Sequence, residues 1–272
     1  MGYHGMTNSR ILHFASLRVH LIEGYIQNIT LIEQGERLLL FDSGCINDVK
    51  RIRQYCKQVL GRSPRDITLV AVTHIHPDHG GGAVCLRKKY AIPIAAHRDV
   101  DRWYRGWKGF LQHQLDCYMA TSVAFRNRRP LEAITYSRRI NPDYPLEDGD
   151  VLPFFPEWKV LHVPGHIAHD LAFYNEKERI LYIADLICDV KGKFHLPLPI
   201  VFPQTMAESF DKLGATQAQT ILRAHGKPIN TDNCPQLFDN MKQLLNRPAT
   251  PFVKRIWRLS KHSPEIKKVG YK

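Results

Sequence analysis

Three histidines and an aspartate crowd into the six residues His74-Ile75-His76-Pro77-Asp78-His79, directly after the apolar run Ile67 to Val72. Imidazole nitrogen and carboxylate oxygen are the natural ligands of zinc and similar divalent metals. Residues two apart in an extended segment point the same way, so His74 and His76 can reach one ion. Pro77 and Gly80-Gly81-Gly82 then turn the chain, which lets Asp78 and His79 face a second position a few ångströms away. The competing reading is a polar loop whose histidines are satisfied by hydrogen bonds. It would suit one histidine and fits this cluster poorly.

A local cluster cannot complete two metal sites, so further ligands are expected at strand ends downstream. Three segments meet that expectation: Val163-Pro164-Gly165-His166, Tyr182-Ile183-Ala184-Asp185, and Ile221-Leu222-Arg223-Ala224-His225-Gly226. Each signal is modest alone, because a lone histidine at a turn is usually structural. What they share, a position just after a short apolar strand, gives them weight together.

The rest of the pattern supplies the frame. Ile11 to Ile22, Ile26 to Glu33 and Arg37 to Phe41 read as strands with turn residues between them, an antiparallel start. Asn47 to Leu60 has helical spacing and stops at Gly61. Ile67 to Val72 is a buried strand, Ala83 to Tyr90 a helix, and Ile92 to Ala96 a strand. Arg98 to about Arg129 is mostly helical in character. Trp158 to Val163, Leu171 to Tyr174 and Ile180 to Ala184 are strands. Met206 to Gln217 is a helix, Thr220 to Leu222 a short strand, and Asp232 to Asn246 a last helix. Two rounds of strands followed by helices predict a layered α/β/β/α sandwich.

With these motifs in order from Asp42 to His225, the chain resembles the metallo-β-lactamase superfamily, and within it the glyoxalase II and lactonase-like branch. The resemblance covers about two thirds of the chain. It implies the four-layer α/β/β/α sandwich, here with a helical insertion, and a centre of two divalent metal ions, zinc foremost with iron or manganese as alternatives. It further implies that His74, His76 and His166 hold the first metal and that Asp78, His79 and His225 hold the second, with Asp185 bridging. Asp42, in Phe41-Asp42-Ser43-Gly44, matches a residue that supports the site from behind the ligands; a plain turn-forming Asp before Gly is the other reading. A metal-bridging hydroxide would be the nucleophile, with Asp78 orienting it as well as binding metal.

Departures from better-known members narrow the expectation. The commonest class B β-lactamases have Cys where this chain has Asp185, which argues against antibiotic hydrolysis. The similar acyl-homoserine lactonases have a Tyr three residues after the bridging Asp, where this chain has Cys188. The glutathione-binding helices of glyoxalase II and the RNA-gripping domain of nuclease members are not recognisable. Flavodiiron reductases place Glu at the position of His76. The expected chemistry is cleavage of an ester, lactone or thioester. The alternatives are phosphodiester hydrolysis and a non-catalytic metal-binding sensor or effector with the same fold.

Composition adds bounds. A chain of 272 residues, 44% hydrophobic and 24% charged, can build one sizeable core. Of its net charge of +12, a net seven lies between Arg247 and Lys272, where eight Lys or Arg face only Glu265. That basic excess says little about substrate, and a solvated, solubilising tail is the expectation for residues 247–272. Residues 1–246 are the expected catalytic domain, with an insertion at about 98–149. In that insertion Trp103, Trp107 and Phe110 fall at helical spacing with Gln114 and could form a lid over an acyl or aromatic substrate. The competing reading packs these aromatics onto the sandwich. Six scattered cysteines without a CxxC pair suggest reduced thiols. No apolar run is long enough to span a membrane, and Met1 to Arg10 does not read as a leader. A cytoplasmic enzyme acting on a small molecule, with nucleic acid an unlikely partner, is the expectation.

Overall fold

The computed structural model describes residues 9–190, 192–248, 250–260 and 262–268. Two β-sheets pack face to face with helices outside each, so the layers run α/β/β/α. The first sheet is ordered β1 (Ser9–His13), β2 (Arg18–Glu23), β3 (Asn28–Gln34), β4 (Arg37–Phe41), β5 (Ile67–Val72), β6 (Ile94–His97) and β7 (Tyr144–Leu146). Its first four strands are antiparallel, and β4 through β7 are parallel. The second sheet uses β8 (Val151–Leu152), β9 (Phe155–His162), β10 (Leu171–Asn175), β11 (Ile180–Tyr182), β14 (Thr220–Leu222) and β15 (Ile229–Asn230). A small hairpin, β12 (Cys188–Val190) with β13 (Lys193–His195), stands apart.

The layering follows from the two-residue period of a strand. Leu38 and Leu40 of β4 join one core cluster with Val49, Ile52, Tyr55 and Cys56 of α1 (Asp48–Gln58) and Ala83 and Leu86 of α2 (Ala83–Tyr90). Between them, Leu39 and Phe41 turn the other way into the cluster shared by both sheets. Strand β5 repeats this, with Val70 and Val72 toward the helices and Leu69 and Ala71 toward the opposite sheet. Phe41 anchors the middle layer: its ring lies 4.8 Å from Trp158, 4.9 Å from Phe173 and 5.0 Å from Tyr182. On the far side, Met206, Phe210 and Leu213 of α4 (Pro203–Gly214), with Phe238 and Met241 of α5 (Cys234–Leu245), cover Ala172, Leu181 and Ile221. Continuous apolar strands such as Ile67–Val72 are those buried on both faces.

Some boundaries differ from the sequence expectation. The run Ile11 to Ile22 is two strands, because Phe14 N–H bonds Leu17 O at 3.0 Å and reverses the chain. The helix expected from Arg98 begins at Gly106 instead. After a short 3-10 turn at Val100–Arg102, α3 runs from Gly106 to Arg126. The solvated-tail expectation does not hold: α6 (Pro251–Leu259) and α7 (Pro264–Lys268) fold back onto the domain. Val253, Ile256 and Trp257 are half-buried while Lys254, Arg255 and Arg258 stay exposed. Ser263 Oγ donates to Trp103 O at 2.8 Å, and Ile266 enters the first core cluster. A net charge averages over both faces of a helix, so it hid the apolar one. No two cysteines among the described residues are bonded, and no described helix is long and apolar enough to cross a membrane.

Candidate functional site

Five loops, each leaving the C-terminal end of a strand, converge where the two sheets meet. From the first sheet, β4 ends at Asp42 and β5 feeds Thr73 to His79. From the second, the loop between β9 and β10 brings His166, the turn after β11 brings Asp185, and the turn after β14 brings His225. The turns are tight. Asp42 (φ 54°) and Ala184 (φ 47°) both lie in the left-handed region. The backbone around Ala184 is pinned: Ala184 O accepts from Ala224 N at 3.0 Å, and Ile183 N donates to Leu222 O at 3.0 Å. This turn is what aims Asp185 out of its strand line. In the histidine loop a Cβ on Gly81 would stand 2.0 Å from Pro77 O, so only glycine allows that close a return.

The ligand-type atoms gather into three overlapping groups, each within 4.8 Å: His74 with His76 and His166; His74 with His79 and Asp185; and Asp78 with His79 and His225. Asp185 stands between the outer two. Its Oδ2 lies 3.9 Å from His74 Nε2 and 3.7 Å from His166 Nε2. Its Oδ1 lies 3.1 Å from His79 Nε2 and 3.3 Å from His225 Nε2. Asp78 Oδ2 is 3.2 Å from His225 Nε2 and 3.7 Å from His79 Nε2. The side toward solvent is the one with His225 and Asp185, whose side chains are 23% and 13% exposed.

Asp42 is fully buried behind this array. Its Oδ2 accepts from Tyr182 OH at 2.8 Å and Thr73 Oγ1 at 2.9 Å, and it pairs with His79 Nδ1 at 2.8 Å. Its Oδ1 accepts from Thr73 N at 2.8 Å. The pairing at Nδ1 leaves His79 Nε2 aimed at Asp78 and Asp185. His166 is fixed in the same manner, its Nδ1 lying 2.6 Å from Pro199 O. His169 holds the loop rather than the centre: its Nε2 accepts from Ile75 N at 3.3 Å.

Electrostatics separate the two ends. Burial, then the neighbouring His79, His76 and His166, push His74 well below the ordinary imidazole value. Burial, then His166, push His76 down to about 3. These rings are neutral, as ligands must be. Burial opposes charge on His79 too, but Asp185, Asp78 and Asp42 outweigh it and hold that ring well above the usual value. Burial likewise works against Asp185, yet His79 and His225 overcome it and keep the carboxyl below the usual range. The donor set fits divalent cations. His74 Nε2 is buried without a hydrogen-bond partner, and His79 Nε2 and Asp185 Oδ1 lie 3.1 Å apart without the geometry of a hydrogen bond, although buried polar atoms are nearly always paired. All three point into the groups just described, and imidazole with carboxylate is a zinc-type donor set.

The aromatic residues expected at the substrate are scattered. Trp103 precedes α3 and is buried, its ring 6.4 Å from His76 and 6.0 Å from His169. Trp107 is 69% exposed, and Phe110 is 46% exposed beneath the Arg138 guanidinium, 5.4 Å away. The inward face of α3 is Gly109, Gln112, His113, Asp116, Cys117, Ala120 and Ala124 instead. Cys188 turns its thiol to Asp185 O at 3.3 Å. Sequence reasoning missed Thr73 and Tyr182, which hold Asp42, and Asp116, whose Oδ2 lies 3.6 Å from His76 Nε2. The stripe Gln112, Asp116, Ala120, Ala124 at four-residue spacing carried the signal for Asp116: small residues continuing from two polar ones mark a buried face.

The family description "Metallo-beta-lactamase superfamily" matches residues 22–225. The Probable metallo-hydrolase YflN of Bacillus subtilis is 24% identical over 249 residues, spanning 86% of this chain and 92% of that protein. The Acyl-coenzyme A thioesterase MBLAC2 of Gallus gallus is 25% identical over 170 residues, 60% of this chain and 58% of that relative. Among solved structures, a metallo-beta-lactamase family protein of Thermus thermophilus superposes with a TM-score of 0.59 at 23% identity, covering 88% of this chain and 82% of that one. A metallo-beta-lactamase from Pontibacter korlensis gives 0.60 at 14% identity, covering 89% and 100%. These structural likenesses speak for the fold.

Proposed function

We propose that this chain, which belongs to the metallo-beta-lactamase superfamily of metal-dependent hydrolases, cleaves an ester, lactone or thioester bond at a centre of two divalent cations. In this reading His74, His76 and His166 would hold one cation and Asp78, His79 and His225 the other, Asp185 would serve both, and zinc is the expected metal. The observation that carries it is the geometry of Asp185: one carboxylate oxygen faces His74 and His166, and the other faces His79 and His225. A single-cation site has no use for a carboxylate so divided. Thioester cleavage gains support from the similarity to the thioesterase MBLAC2.

Bound divalent cations supply an acidified water and a Lewis acid for the scissile carbonyl. The chain's own groups do the rest. Asp78 sits at the solvent side beside His225, its Oδ2 3.2 Å from His225 Nε2. Its Oδ2 is placed to orient an attacking water by accepting its hydrogen bond. Asp42 keeps His79 from rotating as charge builds at the centre. Burial of His74, His76 and His166 excludes competing solvent from the inner end. The catalytic unit of this reading is the sandwich with the C-terminal segment docked onto it, and Trp107 and Phe110 of the insertion are exposed to meet a small-molecule acyl group.

The test is hydrolysis by metal-quantified protein of an ester, lactone, thioester and phosphodiester panel. Acyl substrates should turn over, and His76→Ala and Asp185→Asn should each lower that turnover on the order of 10³-fold while circular dichroism stays that of the parent. Folded variants as active as the parent would sink the proposal, and a phosphodiester as sole substrate would replace its chemistry.

A further inference from the structure

We infer that Asp116, on the insertion helix α3, is a positioning residue for the metal centre: it holds His76 through Nε2 so that Nδ1 is the nitrogen presented to a cation. The inference rests on the metal-centre reading above. His76 Nδ1 lies 3.0 Å from His166 Nε2, inside the cluster, whereas His76 Nε2 faces away toward Asp116 Oδ2 at 3.6 Å. Which ring nitrogen of a ligand histidine binds metal is set by the hydrogen bond its other nitrogen makes.

The companion histidines follow the same rule. The outward nitrogen of His79 has Asp42 at 2.8 Å, that of His166 has Pro199 O at 2.6 Å, and that of His74 has Thr73 Oγ1 at 3.1 Å. For His76, Asp116 Oδ2 is the acceptor placed there among the described residues, 3.6 Å away, an ion-pair distance rather than a closed hydrogen bond. A carboxylate buried to 3% exposure is costly without a partner, and among the described residues no Lys or Arg pairs with it. Its orientation is fixed by donors from two directions. Tyr104 OH bonds Oδ2 at 2.8 Å, and Gln112 Nε2 bonds Oδ1 at 2.9 Å. Gln112 Oε1 in turn accepts from His262 N at 3.1 Å. The insertion and the C-terminal segment together thus brace the imidazole that the β5 loop supplies. A carboxylate acceptor selects the Nε2–H tautomer and makes Nδ1 a stronger donor to a metal.

The experiment compares the parent with Asp116→Ala, Asp116→Asn and Tyr104→Phe in the full chain. Zinc affinity is measured by chelator competition, the cobalt-substituted absorption spectrum is recorded, and the metal-stripped proteins are melted. Asp116→Ala should weaken one of the metal-binding steps by about 10- to 100-fold, the usual range for such partners, and should alter the cobalt spectrum. Asp116→Asn keeps the shape and an acceptor oxygen without the charge, so it should fall between Ala and the parent; Tyr104→Phe should shift affinity least. A purely structural Asp116 would lower the melting temperature of stripped protein and leave affinity and cobalt spectrum at parental values, which overturns the inference while leaving the two-metal reading intact. If Asp116→Ala does not fold, Asp116→Asn decides by the same readouts. A parent that takes up no zinc or cobalt overturns both.

Discussion

The two ends of the site are anchored by different parts of the molecule. His79 leans on Asp42, which is fully buried at the end of β4 and also gathers Thr73 and Tyr182 from both sheets. His76 leans on Asp116, which arrives on the insertion helix and is held by Tyr104 and Gln112. One anchor belongs to the sandwich itself, so leaving it unsatisfied weakens the whole fold. The other belongs to an added element, so ligand geometry there depends on how that element docks. The carboxylate-rich end is thereby tied to global stability and the histidine-rich end to the insertion.

Asp185 serves both ends, so its loss should have the largest effect. Asp185→Asn is expected to lower kcat/KM on an acyl substrate on the order of 10³-fold, about 4 kcal/mol of transition-state stabilisation, and to reduce bound metal from two ions to at most one by elemental analysis. Two ions retained with full activity would remove the shared carboxylate from the comparison. Next comes Asp42→Ala, which strands His79 Nδ1, Thr73 and Tyr182 OH inside the core. Roughly 3–5 kcal/mol of stability should be lost in urea unfolding of metal-stripped protein. A loss no greater than that of Asp116→Ala would erase the distinction between the two anchors.

Acid should also act outside the centre, on His97 at the end of β6 and on His113 in α3. Burial, then His162, push His97 down to about 4, and burial, then Arg138, push His113 down to about 4. The unfolded chain protonates these rings near 6.5, so below that pH it binds protons the folded chain refuses. Their contribution to stability is complete above about pH 6.5 and is lost as pH falls toward 4, at up to about 1.4 kcal/mol per pH unit for each ring. His97→Gln should flatten the pH dependence of the urea midpoint in that window; an unchanged slope would show that His97 does not carry it. The smallest effect belongs to Trp107→Ala and Phe110→Ala. Both residues are exposed, so stability should move by no more than roughly 0.5 kcal/mol, while KM for a long acyl substrate should rise. An unchanged KM would leave these aromatics out of substrate binding.

Much of the frame was legible because strands announce themselves by period and the ligand motifs sit where those strands stop. The run Ile67–Val72 and the triplet Thr220–Leu222 match the structure residue for residue. Strand β7 was not legible: three residues containing Pro145 form an edge strand through pairing with β6 alone. The C-terminal helices were masked by charge, since Val253, Ile256 and Trp257 alternate with cationic residues. The stripe Asp116 shares with Gln112, Ala120 and Ala124 marks it as buried, but nothing local tells that His76 lies 3.6 Å away.

Chemical identity, then, was written locally. Residue types such as His74, Asp78 and His225, and their places after apolar runs, depend only on neighbours in the chain, and ligand chemistry follows from residue type. Orientation was written elsewhere. Which nitrogen of His76 faces inward, which oxygen of Asp185 faces which group, and that Asp42 spans both sheets all depend on residues tens to more than a hundred positions apart. Hydrogen bonds fix direction only between groups already brought within about 3 Å, and only the packed sandwich brings them there.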